Sequence, residues 1–289
     1  MKILNIGSLN LDFVYTVDHI VSPGETEAAT SRNVFLGGKG MNQSCALAKA
    51  GAKVYHAGFI GQDGSLFLNA CKEYGVDSRF IKTVDGASGH AIIQISKDAQ
   101  NSILLYGGAN RQLTPDYVDE VLAHFERGDI LLLQNEINQL PYIVDRAFEK
   151  GMLIALNPSP FDSNLDAVDM NKIGIFILNE VEGFQITGEK NPEEILSKMR
   201  TMFPHARIML TLGSKGALYA DAHIQLYQPI FSVKAVDTTA AGDTFTGYFL
   251  ACLTEGLPIE EVLRISAKAS SIAVTRPGAV PSIPYRSEI

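Results

Sequence analysis

Residues 129–136 read DILLLQNE: an acidic residue, four consecutive branched aliphatics, then three polar side chains rich in hydrogen-bonding atoms. The run is too short for a helix and lacks the alternation of a half-exposed strand, so it reads as a strand covered on both faces. The same form recurs in LIALNPSP (153–160), IGIFILNE (173–180) and RIMLTLGS (207–214), with helix-length segments between. That order builds a mostly parallel sheet with helices on both sides, so the expected fold class is α/β, a three-layer α/β/α sandwich. Each run also stops on polar residues: Gln134 to Glu136, Asn157, Asn179 with Glu180, and Thr211. In a parallel sheet these align along the carboxyl edge, where open α/β sheets bind ligands. Singly, each also reads as an ordinary loop start.

Two stretches break the rhythm. Residues 13–35 contain YTVDHIVSPGETEAATSRNV, and residues 88–107 read SGHAIIQISKDAQNSILLYG, whose alternation around KDAQN predicts an antiparallel hairpin. These strands have no helices to cover them, so they predict a small satellite sheet, either lying over the carboxyl edge as a lid or pairing with a second subunit. The expected division is a core of residues 1–12, 36–87 and 108–289, with residues 13–35 and 88–107 as the lid.

Bulk properties narrow the function. The 289 residues are 46% hydrophobic and 19% charged, with a formal net charge of -8 and no basic runs, so neither nucleic acid nor an anionic membrane is an expected partner. Cys45, Cys71 and Cys252 are far apart and form no zinc or redox spacing, which fits reduced, buried thiols. The N-terminal apolar run is interrupted by Asn5 and Asn10, and no window is apolar for long enough to span a bilayer, so a cytoplasmic location is expected.

The stretch VDTTAAGDTFTGYF (236–249) opens a helix with apolar residues at Phe245, Tyr248, Phe249, Cys252 and Leu253, the spacing of one buried face, and Gly256 with Pro258 stops it. A start near Ala240 or Ala241 leaves the amides of Ala241, Gly242 and Asp243 as unpaired first-turn donors, an anion site reinforced by the helix dipole. Asp243 is open to two readings, a carboxylate favoured by that dipole or a base placed beside a bound phosphate. A kinase needs the second arrangement, since one group must accept a hydroxyl proton while the amides hold the transferring phosphoryl.

A glycine turn at 37, 38 and 40 precedes an Ala-rich helical segment in FLGGKGMNQSCALAKAG (35–51). It is neither a Walker A loop nor a dinucleotide fingerprint, and no such fingerprint follows the first strand, which argues against a nicotinamide dehydrogenase. TLGSKG (211–216) reads on its own as a hairpin turn.

Taken together, GSLNLD, GGKGMNQ, LNEVE, TLGSKG, VDTTAAGDTFTG and AVTRPGAVPS follow one another as in the ribokinase, or PfkB, family of carbohydrate kinases, which the sequence resembles over nearly its whole length. The resemblance implies an ATP-dependent sugar kinase that phosphorylates the 5-hydroxyl of D-ribose. It leaves deoxyribose, another pentose or ketohexose, a nucleoside, or a non-catalytic sugar-binding role as alternatives.

By the same resemblance Asp243 is the general base, and the amides of Ala240, Ala241, Gly242 and Asp243 form the anion hole. Asn10, Asp12, Gly38, Lys39, Asn42 and Glu136 hold the sugar; Thr211, Gly213, Ser214 and Gly216 hold the nucleotide, with Asn179 and Gly242. Asn179 and Glu182 organise Mg2+ and the phosphates. Asp237, Thr239, Ala273, Arg276, Gly278 and Ser282 form a loop for a monovalent cation, K+. A homodimer through the lid sheet is implied as well. The sequence departs from the family pattern at Ala267 and Lys268, where His or Asn is common near the adenine, and at Pro277, where a basic residue is common.

Overall fold

A computed structural model of the chain describes residues 1–98 and 100–289. In chain order the first elements are β1 (Ile3–Ile6), β2 (Asn10–Thr16), β3 (Ser31–Gly37), α1 (Lys39–Lys49), β4 (Val54–Ile60), α2 (Ser65–Tyr74) and β5 (Asp77–Thr83). There follow β6 (Gly89–Ile95), β7 (Asn101–Tyr106), α3 (Pro115–Leu122), β8 (Ile130–Gln134), α4 (Leu140–Glu149), β9 (Leu153–Asn157) and β10 (Ile175–Asn179). The chain continues through α5 (Glu180–Thr187), α6 (Pro192–Met202), β11 (Arg207–Thr211), β12 (Ala217–Ala220), β13 (Gln225–Gln228), α7 (Ala241–Thr254) and α8 (Ile259–Ala273).

Nine strands form the central sheet in the order β13-β12-β11-β10-β9-β8-β1-β4-β5, parallel except where β12 joins β11 and β13. The aliphatic runs are its middle strands, and their successive side chains enter opposite layers because side chains alternate along a strand. Leu131 and Leu133 of β8 pack with the layer that holds α3, α4 and α6, whereas Ile130 and Leu132 pack with the layer of α1, α2, α7 and α8. The expected α/β/α sandwich is therefore present, and each continuous apolar run serves two cores at once.

The chain proceeds from β1 outward through β4 and β5, then returns to β8 on the other side of β1. That reversal opens a crevice beyond the carboxyl ends of β1 and β8, where an open sheet places its ligands. Above it stands a second sheet of order β3-β2-β6-β7. Its β6–β7 pair is the antiparallel hairpin expected from the alternation, although Ala99 of the expected KDAQN turn lies outside the described residues. Asn10 and Asp12 ride on β2 and Gly37 ends β3, so the small sheet itself carries polar groups toward the crevice.

The helix α7 departs from its periodicity. Besides the expected face, Thr244, Thr246, Leu250 and Ala251 are buried, because α1 packs on one side of it and α8 on another. Among the described residues no helix is long and apolar enough to cross a membrane, and Cys45, Cys71 and Cys252 are free and buried.

Candidate active site

The site is built where α1 and α7 begin, side by side. Gly247, the seventh residue of α7, lies so close to α1 that an added Cβ would stand 2.4 Å from the Cβ of Ala46. That close crossing brings the preceding turns together, and Asp243 of α7 accepts hydrogen bonds from Asn42 Nδ2 at 3.0 Å and Gln43 Nε2 at 2.8 Å. Asp243 is 7% exposed, and its carboxylate is thus oriented by amides of the neighbouring helix. Asn42 Oδ1 is buried with no partner, an acceptor beside Asp243 that a ligand hydroxyl would satisfy.

The start of α7 differs in detail from the sequence expectation. Ala240 caps the helix in the left-handed region, φ 58° and ψ 12°, unusual for a residue with a side chain. The reversal lets the Ala241 amide donate to the Thr238 carbonyl at 3.2 Å, so Ala241 is not a free donor. Among the described residues the amides of Gly242 and Asp243 have no such partner, and an added Cβ at Gly242 would meet nothing within 4 Å. The dipole of a 14-residue helix thus ends on two open amides facing empty space.

Two clefts meet at this point. One, of about 240 Å³, is bordered by Lys39, Asn179, Glu182, Gly242 and Asp243. The other, of about 300 Å³, runs past Gly213, Ser214 and Gly216 to a wall of Ile230, Phe231, Val233 and Ala267. They share Thr211, Thr238, Ala241 and Gly242. The first is polar and carries mixed charge. Burial opposes the Lys39 ammonium, but Asp243, Glu136 and Glu182 outweigh it and hold its pKa above the ordinary lysine range. The second cleft is mainly apolar and suits a flat ring; Lys268 leans over the Phe231 ring at 5.1 Å, outside the wall.

The polar groups expected for a sugar gather around the turn from β3 into α1. Gly38, with φ 85°, turns the chain from β3 into α1 against the backbone of Ser8 and Asn10, a path that glycine takes without strain. The Lys39 amide then donates to Glu136 Oε2 at 2.9 Å, and the Ser8 hydroxyl donates to the same oxygen. Asp12 lies over Gly37, whose missing side chain leaves room for its carboxylate. Burial, with Glu136 adding to it, raises the Asp12 carboxyl to about 6. Asn10 is 8% exposed, and its Oδ1 accepts from Asn110 Nδ2 at 2.7 Å.

Asn179 and Glu182 form a capping box on α5. The Asn179 side chain accepts from the Val181 and Glu182 amides, while Glu182 accepts from the Asn179 amide and side chain. Both therefore have a structural task as well as a border on the charged cleft. The residues expected around a cation divide into two touching segments. Asp237 accepts from the Thr239 amide and hydroxyl and from the Gly278 amide, and the Val274 carbonyl takes the amides of Val236 and Asp237. Burial would raise the Asp237 carboxyl, but these hydrogen bonds prevail and hold it below the usual range. Ala273 ends α8 and Ser282 lies on the tail beyond it, both buried, and Arg276 of that tail turns its guanidinium to Glu288 at 2.5 Å. Lys49, at the far end of α1, pins this tail by donating to the carbonyls of Val280 and Ile283 at 2.8 and 2.9 Å.

Sequence reasoning passed over Gln43, Asn110 and Ser8. Each stands beside or across from a named residue, and their one signal was adjacency: Gln43 follows Asn42, and Ser8 precedes the NLD triplet. Asn110 had none, since its contact with Asn10 spans 100 residues.

Comparison with known proteins gives a consistent picture. The pfkB family carbohydrate kinases match residues 1–286. A ribokinase of Haemophilus influenzae is 37% identical over 292 residues, covering 98% of this chain and 95% of that one. The structure of Arabidopsis thaliana ribokinase complexed with ribose and ATP superposes with a TM-score of 0.89 at 30% identity, covering 99% of this chain and 96% of that one. Ribokinase from Cryptococcus neoformans in complex with ADP superposes with a TM-score of 0.87 at 31% identity, covering 99% and 98%.

Proposed function

The chain belongs to the pfkB family of carbohydrate kinases, and from that premise we propose that it transfers the γ-phosphoryl group of ATP to the 5-hydroxyl of D-ribose, with Asp243 as general base. The observation that carries this reading is the placement of the Asp243 carboxylate next to the open amides of α7, at the junction of the two clefts. ATP occupies the apolar cleft with its base and the shared rim with its phosphates. The sugar lies among Asn10, Asp12, Asn42 and Glu136, whose acceptors suit a polyol; groups of this kind, once buried, discriminate against ligands lacking a matching hydroxyl.

In the reaction the 5-oxygen attacks the γ-phosphorus in line and the bond to the β-phosphate oxygen breaks. The hydroxyl proton passes to Asp243, and ADP leaves. The amides of Gly242 and Asp243 meet the charge that develops on the transferring group, and Lys39 adds a positive charge beside it.

Asn179 and Glu182 supply hard oxygen atoms suited to a hydrated Mg2+, which would neutralise phosphate charge. Their capping bonds favour contact through water. Asp237, Thr239, Ala273, Arg276, Gly278 and Ser282 would hold K+ mainly through backbone carbonyls, fixing the turn that precedes the anion hole. A homodimer is proposed through the small sheet, where Ile103, Leu104, Leu105 and Tyr106 are 54–66% exposed on β7; light scattering tests it.

Coupled ADP release with a panel of ribose, deoxyribose, other pentoses, ketohexoses and nucleosides, with and without K+, tests the substrate. Ribose should give the highest kcat/KM, and D243N should retain sugar binding while turnover drops by orders of magnitude. Unchanged turnover in D243N would overturn the assignment of the base; a nucleoside preferred over ribose would overturn the substrate.

A further inference from the structure

Behind Asp243 runs a buried chain of side-chain amides that the reaction described above does not use. Gln43 is fully buried and donates both hydrogens of its amide, to Asp243 Oδ1 at 2.8 Å and to Asn157 Oδ1 at 3.1 Å. Its carbonyl oxygen accepts from Gln134 Nε2 at 2.7 Å, and that same nitrogen donates to Asn5 Oδ1 at 3.1 Å. Asn5 donates in turn to the Gly40 carbonyl at 2.8 Å and to the Ser44 hydroxyl at 2.8 Å. Gln43, Gln134 and Asn5 are each inaccessible to solvent.

The direction of this chain is set from its far end. A backbone carbonyl can only accept, so Asn5 must turn its nitrogen to Gly40 and its oxygen to Gln134. Gln134 must then present its nitrogen to Gln43, and Gln43 is left to present its own nitrogen to Asp243. Reversing any one amide would oppose two oxygens in a space closed to water, a larger penalty than the single acceptor, Gln134 Oε1, that this arrangement leaves without a partner. The chain therefore demands an acceptor at Asp243 Oδ1 and fixes where that oxygen stands.

We propose that Gln43, held in orientation by Gln134 and Asn5, is a positioning residue that aims the Asp243 carboxylate. The proposal rests on the reading of Asp243 as the base. Gln43 contacts Asp243 directly and acts on the sugar only through it.

The test compares Q43L, Q43E, D243N and the Q43L/D243N double variant by ADP release with ribose, ribose calorimetry without nucleotide, and thermal melting. Q43L removes the donor and should lower kcat roughly ten- to a hundredfold, the worth of one hydrogen bond to a charged group, with ribose affinity within about twofold. Q43E keeps the shape but sets a carboxylate against Asp243, and it should lower kcat at least as far; it carries the test if Q43L does not fold. In the D243N background Q43L should add little, because residues acting as a unit are non-additive. Parent-like kcat in Q43L or Q43E alongside an inactive D243N would overturn the proposal alone. A parallel loss of ribose affinity and melting temperature would overturn it in favour of a purely structural role, and a fully active D243N would overturn the base assignment on which it rests.

Discussion

Gly247 of α7 and Ala46 of α1 meet where the two helices cross, leaving no room for even one methyl group between them. The contact lies one turn beyond Asp243 and one turn beyond Asn42, so it sets the distance across which those two side chains bond. Replacing Gly247 by Ala should force the helices apart. Overpacking of this kind costs about 1–3 kcal/mol, and the loss should show in chemical denaturation together with a fall in kcat. The corresponding change at Gly51, where an added Cβ meets nothing, should leave kcat unchanged, although its φ of 95° makes alanine unfavourable for stability.

Asp12 titrates in an accessible range. Its carboxyl is raised to about 6 by burial and by Glu136, and its ionised form offers the acceptors that sugar hydroxyls need. Ribose affinity should therefore be maximal above pH 6 and weaken as pH falls through that value. Hydroxyl contacts favour the ionised form, so binding near pH 6 should release protons, measurable by calorimetry in buffers of different ionisation enthalpy. In D12N both the proton release and this step in affinity should vanish.

His56 is fully buried behind Ser44, and burial lowers it to about 4, with the Gly7 carbonyl opposing in part. The unfolded chain titrates near 6.5, so the folded state binds fewer protons than the unfolded state between those values. The stability from the neutral ring is complete above pH 6.5 and is lost as pH falls through about 4, by on the order of 3 kcal/mol. Asp12 acts in the opposite direction over much of this window, so the measurement is a difference: parent minus H56N, followed by urea denaturation from pH 7.5 to 4.5. The gap should narrow toward low pH.

The fold was readable because its evidence is local. Four aliphatic runs with polar endings define the sheet and its carboxyl edge, and the alternation around residues 88–107 marks the β6–β7 hairpin. What eluded sequence reasoning depends on chain segments that meet only in three dimensions. The periodicity of α7 registers one face, whereas burial of Thr244 and Thr246 follows from the arrival of α1 and α8. The Ala241 amide is spent on Thr238 because Ala240 takes a left-handed turn that no composition rule requires of alanine. Gln43 and Gln134 join across 91 residues; Gln134 is legible as a polar strand ending, but nothing local pairs it with Gln43.

One helix joins two ends of the molecule that are otherwise far apart in sequence. Through Lys49, α1 grips the tail at Val280 and Ile283, and through its first turn it presents Asn42 and Gln43 to Asp243. Its 11 residues span about 16 Å and behave as a stiff rod. With Gly247 as a fulcrum against Ala46, nearer the Lys49 end, a shift of the tail is not taken up along the rod and becomes a tilt of its opposite end. The helix is a lever, and the aim of the Asp243 carboxylate is set partly by how firmly the last residues of the chain are held.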